Sequence, residues 1–116
     1  MNNQVAGAVG AGLTPRETAT LRESLEEQRR FRLDQLREFA RARPERHTAA
    51  RAAVDTRLSA SARMVLADVE DALERMDQGR YGRCLRCDRP IPFHLLEIVP
   101  QTRYCVPCRP AGEARR

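Results

Sequence analysis

Apolar residues recur at spacings of three and four through two long stretches of this chain, and outside those stretches the period fails. The first stretch runs through Leu21, Leu25, Gln28, Arg32, Gln35 or Leu36, and Phe39, a narrow stripe with polar residues in its middle. The second runs through Val54, Leu58, Ala62, Val65, Val69, Ala72 or Leu73, and Met76. Such spacings put the named side chains on one face of a helix, and a stripe this narrow suits a two-helix seam better than a broad core face. The start of the first helix is marked by Thr14-Pro15-Arg16-Glu17. Thr accepts from the free amides of the first turn, Pro tolerates the first helical position, and Glu reaches back as in a capping box. Pro44 lacks an amide proton and disfavours helical geometry at Arg43, so this helix is expected to end near Ala42. Thr48 or the Pro44 step starts the second helix, and Gly79 supplies a left-handed cap at its end. At about 28 and 30 residues, and roughly 1.5 Å per residue, the two helices are similar in length at a little over 40 Å. With a short connection between them they predict an antiparallel coiled-coil hairpin.

The rest of the chain falls into place around that hairpin. Residues 1–13 read as a mobile leader and 14–79 as the hairpin, with its tip near 41–48. Residues 80–109 read as a compact module, and 110–116 as a short tail in which Pro110 and Gly112 stop any helix. Aromatic residues make up 4% of the 116, Trp is missing, and 32% are charged. That is too little core-forming material for a large enzyme. The formal charge is +5, carried by 21 Arg with no Lys. Four metal-bound thiolates would lower it to about +3. Arg and Glu alternate as they do on solvated helix faces, so composition gives weak support for simple phosphate binding. The N-terminal residues lack the pattern of a secretory signal, and no stretch approaches roughly 18 apolar residues, so a cytoplasmic protein is expected.

All four cysteines lie in CLRCDRPIPFHLLEIVPQTRYCVPC, from Cys84 to Cys108. A tetrahedral thiolate site takes two ligand pairs, each close enough in sequence for one turn to aim both sulfurs at the metal. Cys84 and Cys87 form one such pair, Cys105 and Cys108 the other, and the seventeen intervening residues hold Ile91, Phe93, Leu95, Leu96, Ile98 and Val99 for a small core. Two matched pairs at this separation point to one structural Zn2+; a disulfide or a single redox pair fits a reducing compartment less well. Four thiolates close the coordination sphere, which assigns the metal a structural and not a catalytic role. Asp88 follows the first pair, where a positive φ is wanted and Asp tolerates it. His94 reads as a surface or packing residue beside four thiols.

Residues Ala72 to Cys108, with the entry Gly79, Tyr81, Gly82 and Cys84, the Ile91 and Leu96 positions, the Pro100 step and both CxxC pairs, resemble the zinc-finger region of the DksA/TraR family of bacterial RNA polymerase-binding regulators. The larger members of that family place a helical hairpin before the finger. The resemblance implies a mainly α fold, a coiled-coil hairpin followed by a four-cysteine zinc finger. It also implies a monomeric factor that binds RNA polymerase without sequence-specific DNA contact or membrane attachment. Its tip would enter the secondary channel to modulate promoter complexes.

The tip departs from the family pattern. The best-known members present two Asp residues there, whereas this chain has Arg41, Arg43, Glu45, Arg46 and His47 around Pro44. A basic tip is repelled by a catalytic Mg2+ but suits phosphates or acidic protein groups. The acidic Asp68, Glu70, Asp71 and Glu74 argue against guanosine tetraphosphate binding near the finger. No catalytic constellation is present, so no enzymatic activity is expected. The alternative readings are a nucleic-acid-binding zinc protein, using Arg80, Arg83, Arg86, Arg89, Arg103 and Arg109, or a zinc-stabilised protein–protein adaptor.

Overall fold

The structure is a computed structural model and describes residues 12–41 and 48–109. The first helix, α1, spans Pro15–Arg41, and α2 spans Ala49–Asp77. They lie antiparallel, and a short helix α3 (Phe93–Ile98) and one 3₁₀ turn (Val106–Cys108) follow in the finger. The molecule is elongated, 63 × 28 × 21 Å along its principal axes.

Local signals in the sequence account for the helix ends. The Thr14 amide donates to Glu17 Oε1 at 3.0 Å and the Glu17 amide to Thr14 Oγ1 at 3.0 Å, a reciprocal capping box. Thr48 caps α2 by accepting from the Arg51 amide at 3.1 Å. At the other end Gln78 is the cap residue, and Gly79 follows at φ +74°, where a side chain would be strained. The Arg80 amide then bonds the Arg75 carbonyl at 2.8 Å, which closes the helix as the chain turns into the finger.

The core sits at one end. Leu21 and Leu25 of α1 pack with Val69, Ala72 and Met76 of α2, and the cluster continues without a break into Tyr81, Cys84, Ile91, Leu96 and Cys105 of the finger. Leu13, assigned by sequence to the leader, belongs to this core at 2% exposure. Its buried apolar side chain anchors the chain before the capping box. Each fully buried Leu is worth about 1.5–3 kcal/mol, so the base of the hairpin and the finger hold most of the apolar stabilisation.

Toward the tip the seam thins. Val54 and Leu58, both expected in the stripe of α2, are 50% and 49% exposed. Asp55 and Ser59 are the more covered residues there, and together with Thr56 and Arg63 they face Phe39 of α1. Stepping back from Ala62 by three and then four residues leads to Ser59 and Asp55, whereas steps of four and four lead to Leu58 and Val54. A 3.6-residue helix drifts relative to a seam, and the shorter step tracks it here. Cross-helix ion pairs mark the register: Arg22 with Asp77 at 2.9 Å and Arg29 with Glu70 at 3.1 Å. Both are solvent-exposed and worth at most about 1 kcal/mol each, so they specify alignment more than they stabilise.

Candidate metal centre and its junction with the hairpin

Two turns bring the four thiols together. In the first, the Cys84 amide donates to the Arg89 carbonyl at 2.9 Å and the Asp88 amide to the Cys84 carbonyl at 2.9 Å. Arg83 and Pro90 form an antiparallel bridge beneath it. The turn requires φ +90° at Gly82 and φ +64° at Asp88. The amides of Arg86 and Cys87 both point at Cys84 Sγ from 3.4 Å. The second turn is closed by the amides of Cys108 and Arg109 donating to the Cys105 carbonyl. A bond from the Leu85 amide to the Arg103 carbonyl, 2.8 Å, ties one turn to the other.

The sulfurs of Cys84, Cys87, Cys105 and Cys108 all lie within 4.8 Å of one another, with Cys87 Sγ and Cys105 Sγ at 3.6 Å. A tetrahedron with metal–sulfur bonds of about 2.3 Å has edges of about 3.8 Å, so the spacing fits one zinc ion. Burial pushes the Cys84 thiol up, but amide hydrogen bonds from Cys105, Cys87 and Arg86 outweigh it and hold this thiol at about 6. Burial and the neighbouring sulfurs of Cys105, Cys87 and Cys84 push Cys108 up to about 12, and Cys87 is also raised. Four sulfurs this close carry four negative charges only if a cation sits among them, which is the chemistry of a C4 zinc site. The site holds one structural zinc. His94 is exposed on α3 and stands apart from this donor set.

Tyr81 joins the finger to the core. Its ring is 2% exposed and its hydroxyl donates to the Pro100 carbonyl at 2.8 Å. Burial raises its pKa, so the phenol stays protonated as that bond requires.

Three of the arginines read from sequence as a cluster on the finger have partners within the chain. Arg103 bridges Asp68 at 2.7 Å and Asp71 at 3.3 Å. Arg83 donates to the Asp88 carbonyl, and Arg80 bonds the Gln78 side chain. Arg80, Arg83 and Arg86 border a shallow cleft of about 300 Å³ beside the first turn. Asp68 and Asp71, read from sequence as part of an acidic helix face, are engaged with the finger. Glu70 is engaged with α1.

Arg75, which the sequence pattern leaves unremarked, is buried at 4% exposure and pairs with Asp71 at 3.2 Å. Burial lowers its pKa and the Asp71 carboxylate opposes that. Its position just before Met76 on the buried face, four residues after Asp71, was the available signal.

Of the tip residues, Arg41 closes α1 and its guanidinium pairs with Glu38 at 2.6 Å. Arg43, Glu45, Arg46 and His47 lie outside the described residues. Among the described residues, no helix is long and apolar enough to cross a membrane.

Comparison with known proteins agrees with this geometry. The prokaryotic dksA/traR C4-type zinc finger matches residues 79–113. An uncharacterized protein of Aquifex aeolicus (strain VF5) is 44% identical over 43 residues, which covers 37% of this chain and 30% of that relative. The chain therefore spans less than a third of the curated relative it matches. Over the whole fold, the structure of transcription factor DksA2 from Pseudomonas aeruginosa is similar with a TM-score of 0.64 at 25% identity, covering 87% of this chain and 86% of that one. Residues 79–113 thus form a zinc finger of the dksA/traR C4 type, set at the base of a hairpin whose fold is similar to that of a DksA-type transcription factor.

Proposed function

We propose that this protein is a transcription regulator of the cytoplasm that binds RNA polymerase directly as a monomer, with its hairpin tip in the secondary channel, and alters the lifetime of promoter complexes. The observation that carries the reading is the joint arrangement of hairpin and finger, which a DksA-type transcription factor shares over 87% of this chain. A rod about 40 Å long and two helices wide suits entry into a narrow channel, and the finger at its base suits docking at the channel rim.

Cys84, Cys87, Cys105 and Cys108 would hold the zinc. The ion ties the two turns together and adds no chemistry beyond that, because four thiolates leave no open position. Arg41, Arg43, Glu45, Arg46 and His47 would form the tip contacts. Their charge directs the tip toward phosphate oxygens or acidic polymerase side chains and away from a catalytic cation. Transcript cleavage is outside this reading, since metal-assisted cleavage needs acidic groups to help hold a metal.

The test is open-complex lifetime on a purified polymerase, with the zinc-loaded protein beside a variant carrying Arg41→Ala, Arg43→Ala and Arg46→Ala. The expected result is a changed lifetime that the variant loses while it retains affinity. Unaltered lifetimes with both proteins would leave an adaptor that binds without regulating. No binding by the parent protein would overturn the reading.

A further inference from the structure

We propose that Arg103 is a positioning residue: by bridging Asp68 and Asp71 it fixes the angle between finger and hairpin, and so determines where the tip lies once the finger is docked. Only the last clause rests on the polymerase reading; the clamp itself is a statement about the isolated chain.

The finger leaves α2 through a single backbone connection at Gln78, Gly79 and Arg80, with Gly79 at φ +74° as the natural pivot. The apolar cluster shared by hairpin and finger holds the two together, and a directional ion pair beside it narrows the angle further. Further contacts join finger and hairpin. The short helix α3 rests against α1. Arg103 Nη2 reaches Asp68 Oδ1 at 2.7 Å and Asp71 Oδ2 at 3.3 Å. Asp71 is held in turn by Arg75 Nη1 at 3.2 Å, and Arg75 is almost fully buried.

Leverage makes this clamp effective. Asp68 precedes the last residue of α2 by nine positions. The bond to Arg103 is therefore made about 14 Å along the helix from the pivot, where 1 Å of slack permits about 4° of rotation. Over a hairpin about 40 Å long, 10° of rotation moves the tip by about 7 Å, enough to break any specific contact there. The side chains of Arg103 and Asp68 are only 23% and 16% exposed, so the pair is shielded from the screening that weakens surface ion pairs.

The experiment uses the full zinc-loaded chain and amide residual dipolar couplings. In the parent protein, one alignment tensor should fit α1, α2 and the finger. Arg103→Glu should keep one zinc per chain and full helical circular dichroism, yet its finger and hairpin should require separate tensors. Adding Asp68→Arg to that variant, which rebuilds the pair with reversed polarity, should restore the single tensor. Should R103E lose zinc, Arg103→Gln takes its place with the same expected split. A single tensor in the Arg103 variant, or no rescue by the polarity swap, would overturn the clamp.

With polymerase, the Arg103 variant should retain affinity within about threefold while losing most of its effect on open-complex lifetime. An equal loss of both would overturn the coupling to the tip. If the parent protein has no affinity for polymerase, the functional reading falls, and the couplings still decide the clamp.

Discussion

Replacing Leu25 or Leu58 with Ala removes the same atoms from two positions that the hydrophobic pattern treats alike. Leu25 is completely buried in the joint core of hairpin and finger, whereas Leu58 is 49% exposed near the tip. Truncating a fully buried Leu removes its transfer free energy and leaves a cavity, together about 3–5 kcal/mol in a core that cannot collapse around it. Leu25 touches a core built from three elements, so the upper part of that range applies. Leu58→Ala removes at most half of the burial of one side chain, and the better helix propensity of Ala offsets part of that, leaving about 0.5–1 kcal/mol. For a chain of this size 1 kcal/mol corresponds to a shift of about 4–8 °C. Leu25→Ala should therefore melt at least 12 °C or so lower, and Leu58→Ala within about 8 °C of the parent. The assay is urea and thermal unfolding of the zinc-loaded protein at fixed zinc concentration, followed by circular dichroism at 222 nm. Equal destabilisation by the two variants would refute the core placement, because it would mean that the stripe is buried along its full length.

Three further outcomes follow from the finger. Tyr81→Phe strands the buried Pro100 carbonyl and should cost about 1–3 kcal/mol in the same unfolding assay without loss of zinc; no change would show that the 2.8 Å bond contributes nothing. Zinc takes its ligands as thiolates, and free thiols are mostly protonated at neutral pH, so uptake of the ion displaces protons. Zinc affinity should accordingly fall as pH falls, with proton release on loading in weak buffer, and an affinity independent of pH would contradict thiolate ligation. Chelation of zinc, or Cys105→Ser, should remove a contribution on the order of 10 kcal/mol from the finger. Finger amide dispersion should collapse first while much of the α1 and α2 ellipticity persists, and simultaneous loss of both would show that the hairpin depends on the metal as well.

How far the sequence speaks depends on the range over which its signals act. Thr14 and Glu17, Thr48, Gly79 and Asp88 all act within one turn, and each does what its residue type predicts. The four cysteines are legible because zinc imposes two short ligand spacings that few other functions need. Leu13, Arg75 and Arg103 were not legible in the same way. Leu13 lies outside any period, so only tertiary packing reveals that it is core. Arg75 and Arg103 look like two more charges in an arginine-rich chain, and their partnership through Asp71 spans 32 residues. The exposure of Val54 and Leu58 was hidden for another reason: a stripe of alternating three- and four-residue steps is ambiguous wherever polar residues occupy one branch, and near the tip the polar branch of Asp55 and Ser59 faces the partner helix.

The most direct test of the polymerase reading is site-specific photo-crosslinking from position 41, the last residue of α1, in otherwise unaltered zinc-loaded protein bound to RNA polymerase. The account predicts crosslinks to residues that line the secondary channel, lost when zinc is removed and the finger no longer docks. Crosslinks confined to the outer surface of the polymerase, or to nucleic acid in the absence of polymerase, would contradict it.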